Sequence, residues 1–180
     1  MKIIIITIAL VSSLFTNAQV TKVSLQASGL TCSMCSNAIN KSLKSLDFVQ
    51  DVTANIKAST FEISFKPGAT VDFDKLKKKV EDAGFFVANF DAVIHFNKVQ
   101  IENDTPTTID GNTYHFLHVK NQLLDGDKTI HFLDKGYVTA KIYKANSKYT
   151  LMDCYKTGVA AACCEKYNLK AGTRVFHATI

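Results

Sequence analysis

Beyond residue 18 the apolar positions change period several times, and each change predicts a new element. Val23, Leu25 and Ala27 alternate with Lys22, Ser24 and Gln26, the pattern of a strand with one buried face. Ile39, Leu43 and Leu46 then recur at helical spacing, with Asn40, Lys41 and Lys44 on the outer side. Alternation returns at Val52, Ala54 and Ile56, and again at Phe61, Ile63 and Phe65 against Thr60, Glu62, Ser64 and Lys66; Pro67-Gly68 closes that strand with a turn. Asp72 can cap a second helix whose inner face is Phe73, Leu76, Val80 and Ala83, Gly84 stops it, and 85–90 reads as another strand. The predicted order over 19–90 is βαββαβ, with two helices packed on one face of a four-stranded sheet.

The second half of the chain alternates less regularly. Strands are predicted at 93–101, 113–119, 129–133, 149–154 and 173–180, separated by turns such as Asp110-Gly111-Asn112 and Asp125-Gly126-Asp127, with one short helix at 159–166. Residues 91–180 are therefore expected to form a small β-rich domain, a partly open barrel of oligonucleotide-binding topology, without implying that ligand. Between Phe90 and Val93 there is no Gly/Ser spacer, so the two units are expected to abut.

Lys2, an apolar run over 3–11 and Thr16-Asn17-Ala18 have the layout of a signal peptide cut after Ala18, which predicts export to a periplasmic or extracellular location. That run is too short to span a bilayer, and no later stretch is long enough, so no stable membrane insertion is expected. No cysteine follows the expected cut, which argues against a lipid anchor. The net charge is +5, but the lysines are dispersed and form no basic stripe with interleaved aromatics, which argues against nucleic-acid binding. Five cysteines cannot all pair internally, so at least one is a thiol, a metal ligand or a link to a partner.

The most specific chemistry lies in Gly29-Leu30-Thr31-Cys32-Ser33-Met34-Cys35, a thiol pair on a loop that follows a strand and opens a helix. Two intervening residues let both sulfurs converge, and the helix N-terminus favours thiolate, with Cys35 expected to feel it most. Thiolate is both ligand and nucleophile, so a metal site, a passive disulfide and a redox pair all remain open on local grounds.

The element order and two motifs favour the metal site by resemblance. Residues 29–35 resemble the GMTCxxC signature of heavy-metal-associated domains, the ferredoxin-like modules of copper chaperones and copper-ATPase N-termini, with Leu30 in place of methionine. Asp82-Ala83-Gly84-Phe85 resembles the closing motif of the same family. The resemblance implies an α+β, ferredoxin-like domain over 19–90 and metal ligation by Cys32 and Cys35, with Leu30 packed beneath the loop and Phe85, or Phe86, as a screen. Met34 is a marginal extra donor.

Cu(I) suits a bare, exposed thiolate pair, because it accepts two soft ligands, whereas Zn(II) normally takes four. Hg(II) is the alternative ion. An under-coordinated site also allows ligand exchange with a protein partner, so a Cu(I) chaperone or scavenger is the leading reading, followed by a mercury scavenger and a thiol-disulfide exchange protein. The oligomeric state is not legible.

A second constellation comprises Cys154, Cys163 and Cys164 with His177, and with His115 and His118 earlier in the chain. Ordinary buried thiols with one disulfide are preferred there over a second metal site. His115 and His118, three apart on a strand, should face opposite ways and form no chelating pair. His95 and His131 have no evident partner. No serine-histidine-acid set, phosphate-binding glycine loop or paired carboxylates emerge, and Asp72 and Asp74 read as helix-start residues; an enzyme is not expected.

Overall fold

In the computed structural model the described residues are 19–30 and 32–180; the expected leader, 1–18, lies outside them. The first six elements follow the predicted order: β1 (Gln19–Ser28), α1 (Ser33–Lys44), β2 (Val49–Asn55), β3 (Thr60–Phe65), α2 (Phe73–Asp82) and β4 (Phe86–Ile101). The inward residues named from periodicity, Val23, Leu25, Ile39, Leu43, Phe61, Ile63, Phe73, Leu76 and Val80, are buried together. The Asp72 carboxylate caps α2 by accepting the Lys75 N–H at 3.0 Å. Gly84 turns the chain out of α2 at φ +87°, a left-handed conformation that favours glycine. Ile56 departs from expectation: it lies past the end of β2 and is exposed.

The second half is neither a barrel nor a separate sheet. Strand β4 runs sixteen residues without a break, and its buried positions Phe90, Ala92, Ile94 and Phe96 cross the expected boundary at 90/91 in one alternation. One edge of β4 pairs with β1 and the other with β7 (Gln122–Phe132), both antiparallel. With β5 (Thr105–Ile109), β6 (Asn112–Phe116) and β8 (Val175–Thr179) the result is a single eight-stranded sheet, ordered β2-β3-β1-β4-β7-β8-β6-β5. The sheet stays open because β8 inserts between β7 and β6, parallel to β6, leaving the β5–β6 hairpin at one edge and β2 at the other.

Several local expectations change with it. Asp125-Gly126-Asp127 lies inside β7, not at a turn: Gly126, at φ +72°, sits opposite Phe96 beside a register shift. The strand expected at 149–154 is replaced by a 3-10 turn, Ser147–Tyr149, and by α4 (Cys154–Thr157), which begins at Cys154. The helix expected at 159–166 is a 3-10 segment, Ala162–Tyr167. Strand β5 and helix α3 (Ala140–Asn146) were not expected at all.

One aromatic core joins the two halves. The ring of Phe73, the first residue of α2, meets Phe90 at 5.9 Å, Phe132 at 4.9 Å, Phe176 at 5.3 Å and Tyr114 at 6.5 Å, all edge-on. Asp74, one residue further on, accepts from the Tyr137 hydroxyl at 2.7 Å and from Arg174 Nε at 2.8 Å. Since Tyr114, Phe116, Phe176 and Ala178 face this core, strand alternation turns His115 and His177 to the opposite face.

Candidate metal centres

The structure brings Cys32 and Cys35 together at an exposed end of the sheet. Their sulfurs lie 2.7 Å apart, and Cys35 donates its backbone N–H to Cys32 Sγ at 3.3 Å. Cys32 is the N-cap of α1, with extended backbone, so its sulfur occupies the place usually held by a serine or aspartate oxygen. The sequence had assigned the helix-end field chiefly to Cys35, and the cap geometry assigns it to Cys32. The side-chain hydrogen bond with Cys35, followed by the Cys35 backbone N–H, holds the Cys32 thiol below its ordinary pKa. None of the five cysteines is in a disulfide.

Thiolate character at neutral pH is what a soft cation requires. An ion bound linearly between two sulfurs about 2.3 Å away sets them about 4.6 Å apart, so loading requires the two thiols to swing outward. Leu30 packs partly buried against the core, as the motif implied. Phe85 also packs on the core, whereas Phe86 is 72% exposed and Met34 is 79% exposed.

The second constellation brings the three cysteines and His177 together and adds His115 to them. His115 and His177 are register partners on the parallel pair β6–β8, and Cys154, at the start of α4, covers them. Cys154 Sγ lies 3.5 Å from His177 Nε2 and 3.9 Å from His115 Nδ1, all three side chains being buried. The Cys154, Cys163 and Cys164 sulfurs form an adjoining group, with Cys163 and Cys164 3.5 Å apart. Burial, reinforced by those two neighbours, pushes the Cys154 thiol pKa up, and burial beside His177 brings His115 down to about 4. The disulfide expected here is absent.

His118 stacks on Tyr149 instead, with centroids 4.4 Å apart. The two histidines expected to lack partners have them: His95 meets Asp127 at 2.6 Å and His131 meets Asp91 at 2.7 Å. Sequence reasoning missed the pairing of His115 with His177. Its signal was a histidine on each of two apolar strands, and only the β6–β8 register places them side by side.

The model of the heavy-metal-associated domain family matches residues 24–86. Among curated proteins, the copper-exporting P-type ATPase of Staphylococcus saprophyticus is 39% identical over 61 residues, 34% of this chain and 8% of that protein. The probable copper-exporting P-type ATPase of Archaeoglobus fulgidus is 31% identical over 70 residues, 39% of this chain and 9% of that protein. The chain thus spans less than a tenth of the length of these relatives.

Among solved structures, a yeast copper transporter domain, Ccc2a, is 31% identical, covering 36% of this chain and 88% of its own, with a TM-score of 0.33. A CopZ metallochaperone is 22% identical, covering 38% and 100%, with a TM-score of 0.35. Oxidised MerP from Ralstonia metallidurans is 26% identical, covering 39% and 96%, with a TM-score of 0.35. Residues 24–86, with their βαββαβ order and the Cys32 and Cys35 loop, are a heavy-metal-associated domain.

Proposed function

We propose that this protein is an exported, non-enzymatic carrier of Cu(I), which it holds between Cys32 and Cys35 and passes to a protein partner by ligand exchange. The observation that carries the reading is the sulfur pair itself: two converging thiols on an exposed loop, with Cys32 held below its ordinary pKa by Cys35. Copper is named in the relatives' descriptions, and Cu(I) is the ion best matched to two soft ligands without a completed tetrahedron. An open coordination sphere lets an acceptor sulfur enter before a donor sulfur leaves, so the ion is never released to water. The leader-like 1–18 segment supports export, to a periplasmic or extracellular location.

The test is transfer. Copper-loaded protein is mixed with a small acceptor bearing a dithiol, and the transfer rate is followed as acceptor concentration rises. Ligand exchange predicts a rate proportional to acceptor and absent from the Cys32→Ser, Cys35→Ser chain. A rate independent of acceptor, set by spontaneous dissociation, would refute it. A parallel titration with Hg(II) decides the ion: preference for Hg(II) over Cu(I) at matched chelator buffering would replace copper with mercury as cargo.

A further inference from the structure

His115, Cys154 and His177 lie outside residues 24–86, and the carrier function uses none of them. We propose that these three residues form a second, buried Cu(I) site of two nitrogens and one sulfur, reached through the thiols of Cys163 and Cys164.

The first support is spacing. With sulfur about 2.3 Å and nitrogen about 2.0 Å from a shared ion, sulfur and nitrogen stand about 3.5 Å apart in tetrahedral and about 3.7 Å apart in trigonal coordination. The observed 3.5 and 3.9 Å bracket the trigonal figure, and all three donor atoms fall within 4.8 Å of one another. A site of this size closes with small side-chain rotations.

The second support is the other end of each imidazole. His115 Nε2 meets Asp104 Oδ1 at 2.9 Å, and His177 Nδ1 meets Asp134 Oδ1 at 3.0 Å. Each ring that donates its N–H to a carboxylate turns its remaining nitrogen lone pair toward Cys154. This carboxylate-imidazole pairing is how metal-binding histidines are oriented and made more basic. It occurs here twice, from two unrelated loops, around one sulfur. Asp134 is itself fixed, because it also accepts the His177 backbone N–H at 2.7 Å and an Arg174 contact at 3.3 Å.

The third support is a count of hydrogens. Two imidazole lone pairs face a single thiol, which has one proton to give. While both imidazoles are neutral, the single thiol proton can serve only one of the two lone pairs at a time, and the unmet acceptor costs about 1–3 kcal/mol. A cation bound by all three satisfies both nitrogens and the sulfur together, with the thiol proton released to solvent.

The donor set selects the ion. One thiolate with two imidazoles suits copper and zinc, but zinc in a closed site takes four ligands, and among the described residues the mutually close group at these histidines stops at three. Cu(I) is satisfied by three. The remaining two cysteines supply a route: Cys163 is partly exposed, Cys164 and Cys154 are buried, and the three sulfurs lie within 4.8 Å of one another. An ion captured at Cys163 can therefore move from sulfur to sulfur into the buried site.

The experiment uses the full chain carrying Cys32→Ser and Cys35→Ser, reduced and kept anaerobic, so that the outcome is independent of the loop site. Cu(I) is titrated against a chromogenic chelator, the bound form is examined by X-ray absorption, and Zn(II) is titrated in parallel. Expected are one retained Cu(I) with a mixed nitrogen and sulfur shell and a melting temperature raised by Cu(I). Adding Cys154→Ser should abolish that equivalent. Asp104→Ala, which removes only the partner of His115, should weaken it by about 10- to 100-fold while circular dichroism reports an intact fold. Retention of no Cu(I), a shell of sulfur alone, or tighter binding of Zn(II) would each overturn the proposal. Absence of transfer from the unsubstituted chain, with this equivalent intact, would instead count against the carrier function.

Discussion

Replacing Phe73 by alanine asks whether the two halves of the sheet fold as one. The side chain is fully buried, and of the four rings it meets, three belong to residues beyond 90: Tyr114, Phe132 and Phe176. Truncating a buried phenylalanine to alanine costs about 3–5 kcal/mol, through lost burial and the cavity left behind. For a chain of this size, each kcal/mol lowers the melting temperature by about 2–4 °C, so the expected drop is between about 6 and 20 °C. Urea unfolding would be followed in parallel by far-UV circular dichroism, which reports the whole sheet, and by tyrosine fluorescence, which reports the second half, since all six tyrosines, at 114, 137, 143, 149, 155 and 167, lie there. Both probes should move together, along one transition of unchanged slope. A variant in which circular dichroism shifts while tyrosine fluorescence does not, or a total loss below about 1 kcal/mol, would refute a shared core.

Two further outcomes are expected. Burial pushes the Asp74 carboxyl up, but hydrogen bonds from Arg174 and Tyr137 more than offset this and hold it below the usual carboxylate range. Its stabilising contribution is therefore fully present above the unfolded value of about 3.9 and is lost as pH falls through the lower folded value. Asp74→Asn should cost about 1–2 kcal/mol at pH 7, discounted for its partial exposure, and should flatten the stability profile below about pH 4; an unchanged acid limb would contradict the Arg174 clamp. Alkylation by iodoacetamide at neutral pH, read residue by residue in a mass spectrometer, should label Cys32 well before Cys154, since one thiol is exposed with a lowered pKa and the other is buried with a raised one. Equal rates would contradict that contrast.

What the sequence disclosed follows from how far apart the interacting residues are. The loop thiols are three residues apart, and the helices and strands around them each announce themselves within one window of periodicity, so the first domain and its loop were legible. The long strand β4 misled because Asp91, a charged residue in mid-strand, resembles a break; in the fold it binds His131 from β7 and the alternation continues past it. Asp125-Gly126-Asp127 carries the composition of a hairpin turn, yet its glycine lies inside β7, opposite the point where β4 bulges by one residue between Phe96 and Val99. Helix α3 buries no residue of its own, so it offered no apolar stripe to find. His115, Cys154 and His177 come from two strands and a short helix, and a parallel pairing across some sixty residues of chain joins the two histidines. No local pattern encodes that register.

The central claim is that Cys32 and Cys35 hold copper, and counting metal tests it most directly. Cu(I) bound per chain, measured against a competing chelator in the reduced full-length protein, should fall by one equivalent when both residues become serine. The equivalent that disappears should be the one with an all-sulfur coordination shell. An unchanged copper content in that variant would contradict the account.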